Sequence, residues 1–187
     1  MKIKKKKLGG ILEFSLHMYD DDRGFIARIY DEREFKKAKL PIHWRETTQQ
    51  HWNKKNILRG LYVQPGKYSE GKLLRVIKGE LLWVSVDLRK GSKTFGRWDS
   101  TILSEKARNI LYTARGFAHG GISLTDYVDL ILQTDNYYAE KHGIGIVWND
   151  SELNIDWKLN EATPIISEGH KKYPTFAEFK KKYPKGI

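Results

Sequence analysis

The feature that most constrains this chain is a succession of short β-type runs broken by polar turns. Residues 81–88 read L-L-W-V-S-V-D-L, which places Leu82, Val84, Val86 and Leu88 on one face of a strand. The run follows Leu73–Ile77 across the turn sequence Lys78-Gly79-Glu80, so the two read as a hairpin. Further runs recur at Ile11–Met18, Phe25–Tyr30, Arg97–Leu103, Asn109–Thr113, Ile122–Leu124 and Tyr127–Gln133. Turn residues separate them, as in Lys90-Gly91-Ser92, Ser104-Glu105-Lys106 and Gly120-Gly121. Helical pattern is confined to Glu34–Ala38 and Phe176–Lys182. This arrangement predicts an antiparallel sandwich or barrel, with Val84, Val86 and Leu88 facing its interior or the sheet interface.

The 187 residues suit one domain with tails. The expected boundaries are a basic N-terminal tail over 1–9, a β domain over 10–163 and a C-terminal extension over 164–187. Charge follows that division. The net charge is +11, yet residues 1–10 hold five lysines and no acid, and residues 171–187 hold six lysines and one Glu. A nucleic-acid binder carries its excess on a folded face or along a helix, so excess at the two ends reads as solvated termini, with no nucleic-acid partner. No apolar run approaches the ~18 residues of a membrane span, and the lysine-rich start lacks the apolar stretch of a secretory signal. There is no cysteine, which excludes disulfides, thiolate metal sites and a Cys nucleophile. A cytoplasmic protein without membrane contact is expected.

Catalytic signatures of the common kinds are missing. The six histidines form no H-x-H or H-E-x-x-H, so no metal is expected. Gly143 and Gly145 in H-G-I-G-I carry no signal of their own. Three stretches differ. Ile57–Gln64 sets Arg59 among strand residues, Gly71–Val76 leads into a strand with Lys72, and Ala114–Gly120 carries His119 after a turn and an aromatic residue. Barrel strands alternate inside and outside, so Arg59, Lys72 and His119 can line an interior suited to a phosphate ester. Composition alone favours the other reading, surface charges on a two-faced sheet, since Lys and Arg are seldom buried.

Taken together the motifs are similar to a known family. L-R-G-L at 58–61, G-K-L-L-R-V at 71–76, V-D-L-R-K-G-S-K-T-F-G-R-W at 86–98, R-G-F-A-H-G at 115–120, N-Y-Y at 136–138 and G-I-V-W-N-D at 145–150 occur in order, with D-D-R-G-F at 21–25 before them. The chain from about Gly10 to about His170 resembles the dTDP-4-dehydrorhamnose 3,5-epimerases. The resemblance implies a cupin-type antiparallel jelly roll, a homodimer formed partly by strand exchange, a nucleotide-diphospho-sugar ligand and no cofactor. Ile11–Met18 is the strand expected to reach a partner.

The family's reaction takes a proton beside a C4 ketone and returns it to the opposite face of the sugar. The resemblance implies that Arg23, Arg59, Lys72 and His119 bind substrate, with Thr47 and Gln49 as an altered form of the family's Q-x-N pair. The Glu that usually follows R-G-F-F-A is Arg28 here. Three chemical positions depart from the pattern. Tyr62 stands where the base His follows L-R-G-L, Leu132 stands at the acid Tyr, and His170 stands at the Asp that orients the base. A divergent epimerase or isomerase of an NDP-4-keto sugar is therefore expected, with Tyr62, His170 and His119 as catalytic candidates. Arg59 and Lys72 would lower the pKa of Tyr62, and Tyr62 and His170 would pair. Weak or single-centre proton exchange follows from this set. The alternative is a catalytically inactive nucleotide-sugar-binding or scaffold protein of the same fold.

Overall fold

The computed structural model describes residues 2–187. Its strands are β1 (Lys2–Lys5), β2 (Ile11–Ser15), β3 (Met18–Asp21), β4 (Gly24–Ala27), β5 (Glu46–Trp52), β6 (Leu58–Val63), β7 (Lys72–Lys78), β8 (Glu80–Asp87), β9 (Trp98–Ser104), β10 (Ile110–Thr113), β11 (Phe117–Ser123), β12 (Val128–Thr134) and β13 (Ile144–Gly145). Helices are short: α1 (Glu32–Lys37), α2 (Glu168–Lys171) and α3 (Phe176–Lys182). One sheet runs β1-β2-β10-β7-β12-β5 and the other β13-β6-β11-β8-β9, while β3 and β4 form a separate hairpin. Every pairing of these strands is antiparallel, as a jelly roll requires.

The expected hairpin at Lys78-Gly79-Glu80 is instead a corner between the sheets. β7 pairs with β10 and β12, whereas β8 pairs with β9 and β11. Burial explains the change. β8 is apolar on both faces, and a two-stranded ribbon could not cover both. Leu81 and Trp83 join the layer between the sheets, with Leu74, Val76, Leu103, Phe117 and Leu130. Leu82, Val84, Val86 and Leu88 join a second layer on the outer side of the five-stranded sheet. Val84, Val86 and Leu88 thus face away from the barrel interior, contrary to the sequence expectation.

That outer layer is closed by the C-terminal segment. Leu153, Trp157, Phe176 and Phe179 pack on it. Thr175 and Glu178 form a reciprocal capping box that starts α3. The Ile187 amide donates to the Leu88 carbonyl at 2.8 Å. Phe176 and Phe179 thus tie the 164–187 segment into the core. At the other end, the basic run includes β1, which pairs with β2. A third layer covers the six-stranded sheet, where Phe35 of α1 stacks on Phe14 with ring centroids 5.5 Å apart.

Two further runs differ from expectation. Ile11–Met18 splits into β2 and β3, and β2 lies inside its own sheet between β1 and β10. The turn expected at Gly120-Gly121 instead lies within β11, which is buried along its whole length.

Candidate active site

Strand register gathers the polar residues of the motifs at one end of the barrel. β6 and β11 are neighbours, with Tyr62 opposite His119, and His119 in turn lies opposite Ser85 of β8. Cross-strand partners share a face, so these side chains point between the sheets. A cavity of about 240 Å³ opens there, bordered by Arg59, Tyr62, Trp83 and His119 from the five-stranded sheet. The six-stranded sheet contributes Gln50, Trp52, Lys72 and Leu132. Tyr138, His170 and Tyr173 complete its mouth. Arg59, Lys72 and His119 thus line the interior, as one of the two sequence readings held.

The cavity is rich in buried polar atoms without a protein partner. Both ring nitrogens of His119 and the indole N–H groups of Trp52 and Trp83 are of this kind. Trp98 and Trp157 in the outer layer, by contrast, donate to the Leu153 and Trp148 carbonyls at 2.8 Å. Buried polar groups are normally satisfied, so a convergence of open ones around a cavity marks a place built for a polar ligand.

Charge is arranged around these atoms. Lys72 is buried and pairs with buried Glu70, the usual condition for burying an ammonium group. Burial raises the Glu70 pKa above the ordinary carboxylate value, against the opposing pull of Lys72. Arg59 lies over the Trp52 ring, 4.4 Å from its centroid, and donates to the His51 carbonyl at 2.8 Å. Its guanidinium sits at the cavity mouth and stays charged there.

The three catalytic candidates have distinct environments. Burial, with Lys72 adding to it, holds His119 well below the usual imidazole pKa. His119 is therefore neutral near pH 7. Burial and then Arg59 lower His170 in the same direction. The Nδ1 of His170 accepts from the Gly60 amide at 3.3 Å, which leaves its proton on Nε2. Burial pushes the Tyr62 phenol up, with Tyr138 and Glu70 adding to it. The expected lowering by Arg59 and Lys72 does not occur, because burial dominates and every further influence on the phenol raises it too. Tyr62 donates to Gln64 at 3.2 Å instead of pairing with His170. Tyr62 is thus a poor base, which corrects that reading.

Other expectations are also corrected. On β5, Leu132 lies opposite Thr48 and Leu130 opposite Gln50, so even-numbered residues face the cavity. Thr47 and Gln49 point outward, toward Gln133 and Asp129. Gln50 takes the inner place that Gln49 was expected to hold, a one-residue shift of strand parity. Arg23 sits in the turn between β3 and β4, pairs with Asp21, and borders no part of this cavity. His170, placed by sequence in a lysine-rich tail, closes over the site through α2.

Gly143 and Gly145 prove informative. A Cβ on Gly143 would lie 2.1 Å from the Tyr62 hydroxyl, and one on Gly145 would lie 2.1 Å from the Tyr173 ring. These glycines make room for two cavity tyrosines. Gln64, noted in the sequence as the polar residue that ends its strand run, was given no role in the site. It is fully buried, receives Tyr62 and the Ala139 amide, and donates to the Tyr68 and Tyr137 carbonyls. Its place at the end of the L-R-G-L-Y-V-Q run was the available signal.

A larger cleft of about 660 Å³ lies outside the barrel, beside α3. It is open and ringed by surface lysines, whereas the open buried nitrogens of His119, Trp52 and Trp83 border the smaller cavity. Among the described residues no group of three or more His, Cys, Asp or Glu is placed to hold a metal ion. Among the described residues no helix is long and apolar enough to cross a membrane.

Comparison with known proteins agrees with this architecture. The family profile described as dTDP-4-dehydrorhamnose 3,5-epimerase matches residues 5–178. The chain is 36% identical to the dTDP-4-dehydrorhamnose 3,5-epimerase of Pseudomonas aeruginosa over 179 residues, covering 95% of this chain and 97% of that one. It is 34% identical to the enzyme of that name from Shigella flexneri, covering 90% and 92%. The crystal structure of dTDP-4-dehydrorhamnose 3,5-epimerase from Elizabethkingia anophelis superposes with a TM-score of 0.90 at 33% identity, covering 95% and 97%. The Legionella pneumophila enzyme, solved in complex with dTDP-4-keto-L-rhamnose, superposes at 0.88 with 28% identity, covering 94% and 93%. With its jelly-roll fold, and with a family match that spans nearly all of its length, the chain belongs to the dTDP-4-dehydrorhamnose 3,5-epimerase family.

Proposed function

We propose that the barrel cavity binds a nucleoside-diphospho-4-keto sugar and exchanges a proton beside its ketone, with acid and base groups different from those the family pattern carries. The observation that supports this most is the convergence of His119, Trp52 and Trp83, all with open polar atoms, beside the Lys72 ammonium. A cavity of about 240 Å³ is below the roughly 300–1,000 Å³ of sites that enclose whole drug-sized ligands. It suits the sugar ring, with the diphosphate passing Arg59 at the mouth.

Roles follow from chemistry. His119 is neutral, buried and free at both nitrogens, so it is the base. Lys72 supplies positive charge to the enolate oxygen that forms when the proton leaves. The Nε2–H of His170 donates to the sugar or its phosphates. Tyr62, protonated and tied to Gln64, shapes the wall. No cofactor enters this scheme. The reading includes a homodimer, since Arg23 can meet a ligand only if the β3–β4 hairpin of a second copy reaches the cavity. That hairpin exposes Tyr19, Phe25 and Ile26, which suits a contact surface. Sedimentation should give twice the chain mass, and a monomer that binds nucleotide fully would remove Arg23 from the site.

The test is incubation with a dTDP-4-keto-6-deoxyhexose in heavy water, followed by mass spectrometry. Uptake of one deuteron, lost in His119→Gln, is expected. The second reading, a binding protein without catalysis, is favoured by Leu132 in the cavity wall and by the raised phenol of Tyr62. Firm dTDP binding with neither deuterium uptake nor any change in the keto sugar would establish it.

A further inference from the structure

We infer that the site moves a proton along one face of its sugar, shifting the ketone from C4 to C3 of a 3-hydroxy-4-keto substrate rather than inverting a carbon. The inference rests on the function proposed above and adds the outcome of the reaction. Its basis is the distribution of proton carriers between the two sheets.

Inversion needs a proton taken from one face of the ring and another delivered to the opposite face, so carriers must stand on both sides. Here they stand on one. Tyr62 and His119 are register partners on β6 and β11. His170 is bound to the backbone of β6 at Gly60. Tyr173 joins the same side, its ring 5.0 Å from His170, and Tyr138, held at the mouth by the hydrogen bond from its amide to Glu46 at the edge of the facing sheet, turns its ring toward Tyr62 at 6.2 Å. The facing sheet presents Leu132, Gln50, the Trp52 ring and Lys72. Leucine, glutamine and indole transfer no proton at neutral pH, and the Lys72 ammonium is engaged by Glu70. A sugar ring lying between the sheets meets a base on one face and a fixed cation with an apolar wall on the other.

One base acting on one face can still complete a reaction. A nitrogen of His119 takes the proton from C3. The C–H electron pair becomes the C3=C4 double bond, and the carbonyl pair moves onto O4, where Lys72 stabilises it. The hydroxyl proton on O3 passes to O4, so that negative charge moves to O3. The O3 lone pair then forms the C3 carbonyl, and the C3=C4 pair takes the proton back from His119 at C4. The ketone has moved from C4 to C3 and a hydroxyl stands at C4. C3 is oxidised as C4 is reduced, so no external oxidant or reductant is required.

The experiment uses the full chain with dTDP-4-keto-6-deoxyglucose in light and heavy water, followed by carbon and proton NMR of the product. A new carbonyl at C3 is expected, with hydrogen or deuterium delivered to C4 and the configuration at C5 unchanged. His119→Gln should slow its appearance at least about 100-fold, the usual worth of a positioned base. Leu132→Tyr, which adds a proton carrier to the facing wall, should introduce product inverted at C3. Inverted product from the native chain would overturn the inference while leaving the proposed function intact. Retention of the ketone at C4 with dTDP bound, measured by calorimetry, would also overturn it. Failure of both dTDP and the keto sugar to bind would overturn the underlying reading as well.

Discussion

Arg59 shows how one side chain is fixed by its neighbours before any ligand arrives. Its guanidinium is held over Trp52 and by the His51 carbonyl, so little rotamer freedom remains to be lost on binding. A charge-assisted hydrogen bond contributes about 1.5–3 kcal/mol, which corresponds to a weakening of roughly tenfold to a hundredfold. Arg59→Ala should weaken dTDP binding by that factor in calorimetry, and unchanged affinity would remove Arg59 from the site. Gly143 is the counterpart in empty space. Gly143→Ala places a methyl group where the Tyr62 hydroxyl lies, so the ring must swing out and the bond to Gln64 must break. The expected result is a reduced affinity for the keto sugar, with dTDP affinity changed less. Equal loss for both ligands would show that Tyr62 does not border the sugar.

At the scale of elements, the long motif at 86–98 organises a loop rather than a reaction. Asp87 ends β8 fully buried. Burial alone would raise its pKa, but hydrogen bonds from Arg89, Ser92 and Thr94 outweigh that and hold it below the usual carboxylate value. Arg89 grips it through two contacts at 2.9 and 2.7 Å, with Ser92 at 2.6 Å and Thr94 at 2.5 Å. Removing one member of a buried pair costs about 3–5 kcal/mol, because the other charge is left without a partner. Asp87→Ala should lower stability by that amount in urea titration while leaving dTDP contacts intact in whatever protein remains folded. A loss below 1 kcal/mol would mean that the carboxylate is not buried in solution. The strand pattern at 81–88 could announce β8, but not its partners. Local alternation says that a residue points up or down, whereas the choice between hairpin and sheet-crossing corner depends on what covers each face.

For the whole molecule, the C-terminal segment and the buried histidines set conditions on stability. Phe176 is buried against Phe95 and the outer face of the five-stranded sheet. Phe176→Ala should cost about 3–5 kcal/mol, the usual loss for a deleted core aromatic, and a neutral effect would show that the segment 164–187 is not packed on the sheet in solution. Acid acts through His119 and His170, whose folded pKa values both lie below that of a free imidazole. Below about pH 6.5 the unfolded chain takes up protons that the folded chain does not, so stability is fully present above that pH and falls as pH drops. His119→Asn should flatten this acid limb by up to about 1.4 kcal/mol per pH unit. An unchanged slope would show that His119 is solvated when the protein is folded.

The sequence by itself determined the β class, the turn positions near Lys90–Ser92 and Ser104–Lys106 and the α3 span at Phe176–Lys182, and it left open whether Arg59, Lys72 and His119 point inward or to solvent. These depend on alternation, turn chemistry and motif order, all of which are local or nearly so. Only the tertiary structure decided that β7 and β8 part at a corner, that Val84 and Val86 lie under the C-terminal segment, and that Gln50 rather than Thr47 or Gln49 faces the cavity. Each of these depends on register or on covering a second face, and a one-residue shift reverses every side chain of a strand. The protonation of Tyr62 was likewise beyond local reading. Residue names put two cations near it, but the extent of burial, which decides whether a phenolate can exist there, belongs to the packed molecule.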